Sequence, residues 1–316
     1  MISFRYHIVS IVAVFLALAV GIVLGSGPLH AEDLAGTSGG TSTAADQART
    51  RSLQTSLGFA DAYGRATAAQ VVAHRLDGRA VTLVTLPGAD PKAAAAVADL
   101  VAKAGGSVTA RVALGEKLLD VANRQLVTEL ATQMRGTAKG VLVPAAGTGY
   151  QQLGALVAHA VVTRVPAGEV QDEAGKSVLA GVQTAGLVST TGTLARRGSL
   201  AVVVAGAPRG SADQRTGAGT ILSSFLVAMD ARSAGTVLAG PITSGADDGL
   251  VGEIRHDRSA SAVVSTVDVV DRPAGAAVAV LALAGQLAGG SGQYGTPGSP
   301  DGAAPVLTAS PAASNP

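Results

Sequence analysis

Short apolar runs that are too brief for core helices and too continuous for half-exposed strands set the strongest limit on what this chain can fold into. Residues 79–86 (RAVTLVTL), 107–114 (SVTARVAL), 139–144 (KGVLVP) and 199–205 (SLAVVVA) are rich in β-branched side chains with little polar alternation. Strands read this way when helices cover both faces of a parallel sheet. The segments between them, 92–104, 123–134 and 150–162, carry helical spacing instead. Thr236–Leu238 and Ala262–Val270 continue the strand series, with helices expected over 219–229 and 274–287. Alternating strand and helix predicts a mostly parallel α/β domain over 78–295, in one piece or in halves at 78–165 and 176–295, and not a β-barrel.

The chain opens on a second constraint. Arg5 and His7 precede an uncharged stretch from Ile8 to Leu29, followed by Glu32 and Asp33. At about 1.5 Å rise per residue, roughly 20 apolar residues cross a hydrocarbon core of about 30 Å. A transmembrane signal anchor over 8–27 is therefore expected, with residues 1–7 cytoplasmic and the remainder extracytoplasmic, because the cation lies on the N-terminal side. Ala17, Gly21 and Gly25 recur every fourth residue, a stripe that suits close helix packing within the membrane. The competing reading is a cleaved signal peptide, for which Gly25, Ser26 and Gly27 offer small residues, and which would release the chain toward an outer membrane.

Residues 28–48 hold mainly Gly, Ser, Thr and Ala and read as a flexible tether, and 49–77 as a juxtamembrane helical segment. After Gly289 the composition turns to Gly, Ser, Pro and Ala, so 296–316 reads as a disordered tail. A net charge of +1 and only 3% aromatic residues leave neither a basic footprint nor a stacking platform for nucleic acid. With no cysteine there are no disulfides, thiolate metal sites or thiol nucleophiles.

The motifs that carry chemistry elsewhere fail here on spacing. Gly175, Lys176 and Ser177 end like a phosphate loop, but Val170 stands where the first glycine belongs. Gly36, Ser38 and Gly40 match G-x-S-x-G inside the tether, away from any strand-to-helix elbow. Gly217 and Gly219 open the helix expected at 219, but a long polar loop separates them from strand 199–205 and no third glycine follows. Asp247, Asp248, Glu253, His256 and Asp257 form the densest polar group and the candidate metal ligands, with a solvated turn as the competing reading. His74 and His159 each lack a second ligand one helical turn away and read as structural. No catalytic constellation is visible, and the chain is not expected to be an enzyme.

The opening MISFRYHIVSIVAVFLALAVGIVLGS and the segment SAVVSTVDVVDRPAGAAVAVLALAGQLAGGSGQYG at 261–295 resemble the actinobacterial family of the copper transport outer membrane protein MctB. AVVVAGAPRG and VLAGPI are similar to that family's inner strands. TSGGTSTAADQ stands where the family has a charged, coiled-coil-like stretch, and this argues against a long coiled coil here. The resemblance implies copper handling and an outer-membrane pore. Four Phe, four Tyr and no Trp cannot supply aromatic girdles, and the strands do not alternate as barrel strands do. A cuprous site wants clustered sulfur ligands, whereas Met134 and Met229 are isolated. No cofactor is evident, and copper enters through the resemblance alone.

Among positions matching the family, Ser265, Thr266, Asp268 and Asp271 are candidate ligand- or partner-binding residues, since they fall at the carboxyl end of an expected parallel strand. Side-chain hydrogen bonds tying that strand to the turn before Pro273 are the alternative role. Two functions follow: copper efflux or homeostasis at the envelope, through the resemblance, or a non-enzymatic anchored scaffold that binds an envelope or division partner. The expected partners are the membrane and either a second copy of the chain or an envelope protein.

Overall fold

The computed structural model describes residues 39–306. The chain divides into two units, residues 1–59 and 60–316. The described part of the first is the leading portion of helix α1 (Gly39–Val72). Helix thus occupies 39–48, where a tether was expected, and runs through TSGGTSTAADQ from Gly39. The physical reason is propagation: Ala44, Ala45, Gln47 and Ala48 are strong helix formers that extend a helix already established downstream. Ala17, Gly21, Gly25 and the anchor expected over 8–27 lie outside the described residues. Among the described residues no helix is long and apolar enough to cross a membrane.

The second unit is an open α/β domain, not a barrel. In chain order its main elements are β1 (Ala80–Thr85), α2 (Pro91–Lys103), β2 (Ser107–Leu114), α3 (Glu116–Leu119), α4 (Arg124–Thr137) and α5 (Gly149–Val161). There follow β3 (Glu169–Val170), α6 (Glu173–Thr184), β4 (Val188–Thr190), β5 (Arg196–Arg197), β6 (Leu200–Val204), α7 (Ala212–Arg232) and β7 (Thr236–Ala239). The chain ends on α8 (Leu250–His256), α9 (Arg258–Ser261), β8 (Ser265–Val267), α10 (Pro273–Leu287) and β9 (Gln293–Tyr294). Seven strands form one sheet in the order β4-β2-β1-β6-β7-β8-β9, and all neighbours are parallel except the edge pair β2–β4. β3 and β5 form a separate two-stranded ribbon.

Double burial explains the apolar runs. On β6, Ala201 and Val203 face a core containing Leu153, Leu156, Phe225, Met229 and Ile254, while Leu200, Val202 and Val204 face a second core with Val97, Val101, Val280 and Leu283. The two cores are the two faces of one sheet, covered by α4–α8 on one side and by α1, α2 and α10 on the other. Thr82 is the buried polar residue of β1, and its hydroxyl is satisfied, donating to the Val161 carbonyl at 2.7 Å and accepting from the Gly198 amide at 3.0 Å. Within this unit the part of α1 from Ala60 onward packs on α10 and its lead-in, where the Asp61 carboxylate accepts from Arg272 at 2.8 Å and Gly64 lets Ala274 approach.

Several expected boundaries move. Residues 139–144 are not a strand: Gly140 takes a left-handed φ of 84°, the Leu142 carbonyl accepts from Arg232, and the sheet positions beside β1 and β2 belong to β6 and β4. The strand expected over 262–270 contracts to β8, because the Val264 amide still closes the turn after α9 and the Val270 amide bonds Gly240. α7 starts at Ala212, not at Gly219, so the loop after β6 is short. Gly217 and Gly219 lie inside the helix, where they admit Val121 and Glu253. Residues 296–302 are tied to the fold, where a tail was expected to start at 296. Thr296 donates from both its amide and its hydroxyl to Asp268, and Asp301 accepts from the Gln293 amide at 2.8 Å.

Candidate functional site

The sheet order reverses direction between β1 and β6. The chain winds outward from β1 through β2 to β4, then returns to the other side of β1 and winds outward again. In open α/β sheets the loops leaving the two strands at such a reversal separate and leave a crevice at their carboxyl ends. Here those loops are Leu86–Asp90, leading into α2, and Ala205–Ser211, leading into α7. Their bases are held together by the Leu86 amide, which bonds the Val204 carbonyl at 2.9 Å. Gly206 packs so closely on Gly88 that a Cβ would overlap the Gly88 carbonyl, and Gly88 itself has a φ of 78° with the Arg209 guanidinium above it.

A crevice of about 460 Å³ opens beside these loops, floored by Leu119, Val121, Ala218 and Leu250. That size falls within the roughly 300–1,000 Å³ of small-molecule sites. Lys117, Arg209 and Arg215 bring positive charge to it, and Glu116 and Asp120 bring negative charge. Arg215 is committed, since Asp248 pairs with it and its Nη1 donates to the Gly210 carbonyl. Among the described residues the ion-paired Lys and Arg side chains are Lys103, Lys176, Arg197, Arg215, Arg255 and Arg272, so Lys117 and Arg209 are free to meet a ligand. The helix ends close themselves. Asp90 caps α2 through the Lys92 amide, and Ser211 and Gln214 form a reciprocal capping box on α7. Behind the crevice the Tyr150 hydroxyl donates to the Asp120 carbonyl at 3.3 Å; burial pushes that phenol up, against the pull of Arg124.

The candidates from sequence lie elsewhere. Asp268 is buried and saturated. Its Oδ2 accepts from Arg255 at 2.9 Å and from the Thr296 hydroxyl at 2.9 Å, and its Oδ1 accepts from the Thr296 amide at 2.8 Å. Thr266 accepts from Arg255 Nε at 3.0 Å. Ser265 accepts from Gln286 at 2.9 Å and from the Gly292 amide, and Asp271 accepts from the Ile242 amide at 3.1 Å. Ser265, Thr266 and Asp268 tie β8 to its surroundings, and Asp271 holds the turn after it to Ile242.

The five candidate metal ligands do not converge. Asp248 faces Arg215 and Glu253 accepts from Thr216 at 2.6 Å. Asp257 caps α9 through the Ser259 and Ala260 amides and accepts from Ser223; burial opposes its ionisation, but these hydrogen bonds prevail and hold its carboxyl below the ordinary range. Asp247 and His256 stand 3.9 Å apart on the exposed surface. Among the described residues no group of three or more His, Cys, Asp or Glu side chains is placed to hold a metal ion. Lys176 of the false phosphate loop pairs with Glu173, and Asp172 caps the Gly175 amide at 2.7 Å. His74 bonds Asp77 in the turn after α1.

Sequence reasoning missed the crevice because its residues come from segments far apart in the chain, at 87, 116–123, 207–218 and 250. The available signal was PGADP and GAPRGS, each placed immediately after an apolar strand.

The family described as "Copper transport outer membrane protein, MctB" matches residues 1–305. "Copper transporter MctB" of Mycobacterium tuberculosis (strain ATCC 25618 / H37Rv) is 30% identical over 313 residues, covering 94% of this chain and 96% of the relative. "Copper transporter MctB" of Mycobacterium leprae (strain TN) is 30% identical over 324 residues, covering 93% and 96%. An open, doubly wound α/β domain with a crevice at its switch point is thus the architecture of a chain that belongs to the MctB family of copper transport outer membrane proteins.

Proposed function

We propose that this protein serves copper homeostasis at the cell envelope as a non-enzymatic recognition module, anchored in a membrane by a single helix over residues 8–27, with its α/β domain extracytoplasmic. The observation that carries this reading is the switch-point crevice, with Lys117 and Arg209 uncommitted at its mouth. A recognition role suits an open sheet. Both faces are filled by helices, so the domain offers a binding site at the carboxyl ends of its strands and no lumen. Copper is the cargo of the system in this reading, and the crevice engages another component of it.

The test is copper tolerance of cells lacking the gene, restored by the full chain carrying Ala218→Phe, which fills the crevice floor, or Arg209→Glu, which inverts its mouth. Both variants should reach the membrane in normal amount and fail to restore tolerance. Full restoration by both would remove the crevice from the function.

A further inference from the structure

A second cavity lies at the opposite end of the sheet from the crevice, beside the start of β6. About 790 Å³ in volume, it is enclosed by the C-terminal ends of α5 and α7, the 139–147 loop and the β3–β5 ribbon. Its walls differ in chemistry. One is apolar, formed by Leu142, Ala155, Val227 and Ala228. The other carries Arg164, Arg197 and Arg232 with His159, Glu169 and Asp172.

On the polar wall one guanidinium is ion-paired and two are not, among the described residues. Arg197, with 6% of its side chain exposed, pairs with Glu169 at 2.7 Å and Asp172 at 3.2 Å, and its buried Nε has no partner. His159 Nε2 meets the same Asp172 at 3.0 Å. The His159 ring lies between guanidinia, with Arg232 Nη1 3.4 Å from Nδ1 and Arg197 Nη1 3.5 Å from Nε2. Arg232 otherwise donates to the Leu142 carbonyl at 2.7 Å, and Arg164 to the Ala231 carbonyl at 3.0 Å. Neither forms an ion pair among the described residues. Burial and the neighbouring Arg197 both push the Arg232 pKa down, so an anion arriving there would relieve unfavourable charge. The nearby Asp230, whose carboxyl burial pushes up to about 6 even against Arg164, makes no ion pair with either guanidinium among the described residues.

We propose that this cavity binds a small organic carboxylate, with its apolar body against Leu142, Ala155 and Val227 and its carboxylate between Arg232 and Arg164. Planar guanidinium forks match carboxylate geometry, and the exposed Leu142, at 83%, stands at the mouth on the loop turned at Gly140. The site is separate from the crevice and does not depend on the role assigned to it.

The experiment is calorimetric titration of the full chain in lipid nanodiscs with phenylbutyrate, and with phenylbutanol and phenylbutylamine, which keep the body and change the head. The carboxylate should bind at least about tenfold more tightly than either control, as a charge-assisted contact requires. Arg232→Gln and Arg164→Gln should each weaken it at least about fivefold, Arg232→Lys less so, and Ala228→Phe should abolish binding. If Ala228→Phe fails to fold, the two arginine variants decide alone. Equal binding of the three probes would overturn the proposal, as would wild-type affinity in both glutamine variants. Competition by inorganic phosphate as effective as that of a second carboxylate would also overturn it, since the cavity would then be a plain anion site.

Discussion

Arg255 and Asp268 form an ion pair at 2.9 Å in which both side chains are nearly withdrawn from water, at 11% and 2% exposure. The same guanidinium also reaches Thr266 and the Tyr294 carbonyl, so one cation joins α8, β8 and β9. Asp268→Ala would leave Arg255 buried and uncompensated, a loss of roughly 3–5 kcal/mol. Denaturant unfolding measures it, and hydrogen exchange should show 291–306 released first. An unchanged unfolding midpoint would contradict the role assigned to this pair.

Gly206→Ala tests the closeness of the two switch-point loops. The added Cβ meets the Gly88 carbonyl backbone, which cannot rotate away as a side chain would. Overpacking of this kind costs about 1–3 kcal/mol. The variant should unfold earlier in urea, and exchange protection should fall in 86–90 and 205–211 before it falls elsewhere.

Asp230 predicts a pH dependence with a definite sign. Its folded-state carboxyl is raised from 3.8 to about 6, by burial first, with Arg164 and the Thr236 amide opposing. The folded state therefore holds a proton that the unfolded state has lost, and stability falls as pH rises from about 4 to about 6. Asp230→Asn should melt higher than the wild type near neutral pH, and the difference should vanish below about pH 4.

Asp172 runs the other way. Burial opposes its ionisation, but the Gly175 amide, His159 and Arg197 outweigh burial and hold the carboxyl below 3.8. A depressed carboxylate contributes stability above its unfolded value that is lost as pH falls through the folded one. Asp172→Asn should therefore lower the melting temperature at neutral pH and narrow the gap to wild type in acid. A gap that widens on acidification would contradict this pairing.

The sheet was legible in sequence where a strand is buried on both faces, because double burial erases polar alternation; β1, β6 and β7 were found for this reason, whereas β2, exposed at Ser107 and Arg111, was found by its β-branched run. The runs at 139–144 and 262–270 misled because an apolar stretch announces burial and not backbone geometry. The first is turned by Gly140 and held by Arg232, and the second is shortened by bonds to Gly240 and to the turn after α9. β4 and α6 escaped notice because short edge strands and Gly-containing helices carry weak patterns. Asp268 was legible as important, but its partners Arg255 and Thr296 lie 13 and 28 residues away, so its carboxylate could not be known to be already satisfied. His159 read as a lone structural residue for the same reason, since Asp172, Arg197 and Arg232 reach it only through the fold.

Copper flux through the full chain reconstituted alone in liposomes tests the central claim most directly. A recognition module with a helix-covered open sheet predicts copper entry no faster than in protein-free vesicles, at any protein density. Copper entry that scales with the amount of protein would contradict the account and make the chain itself the conducting path.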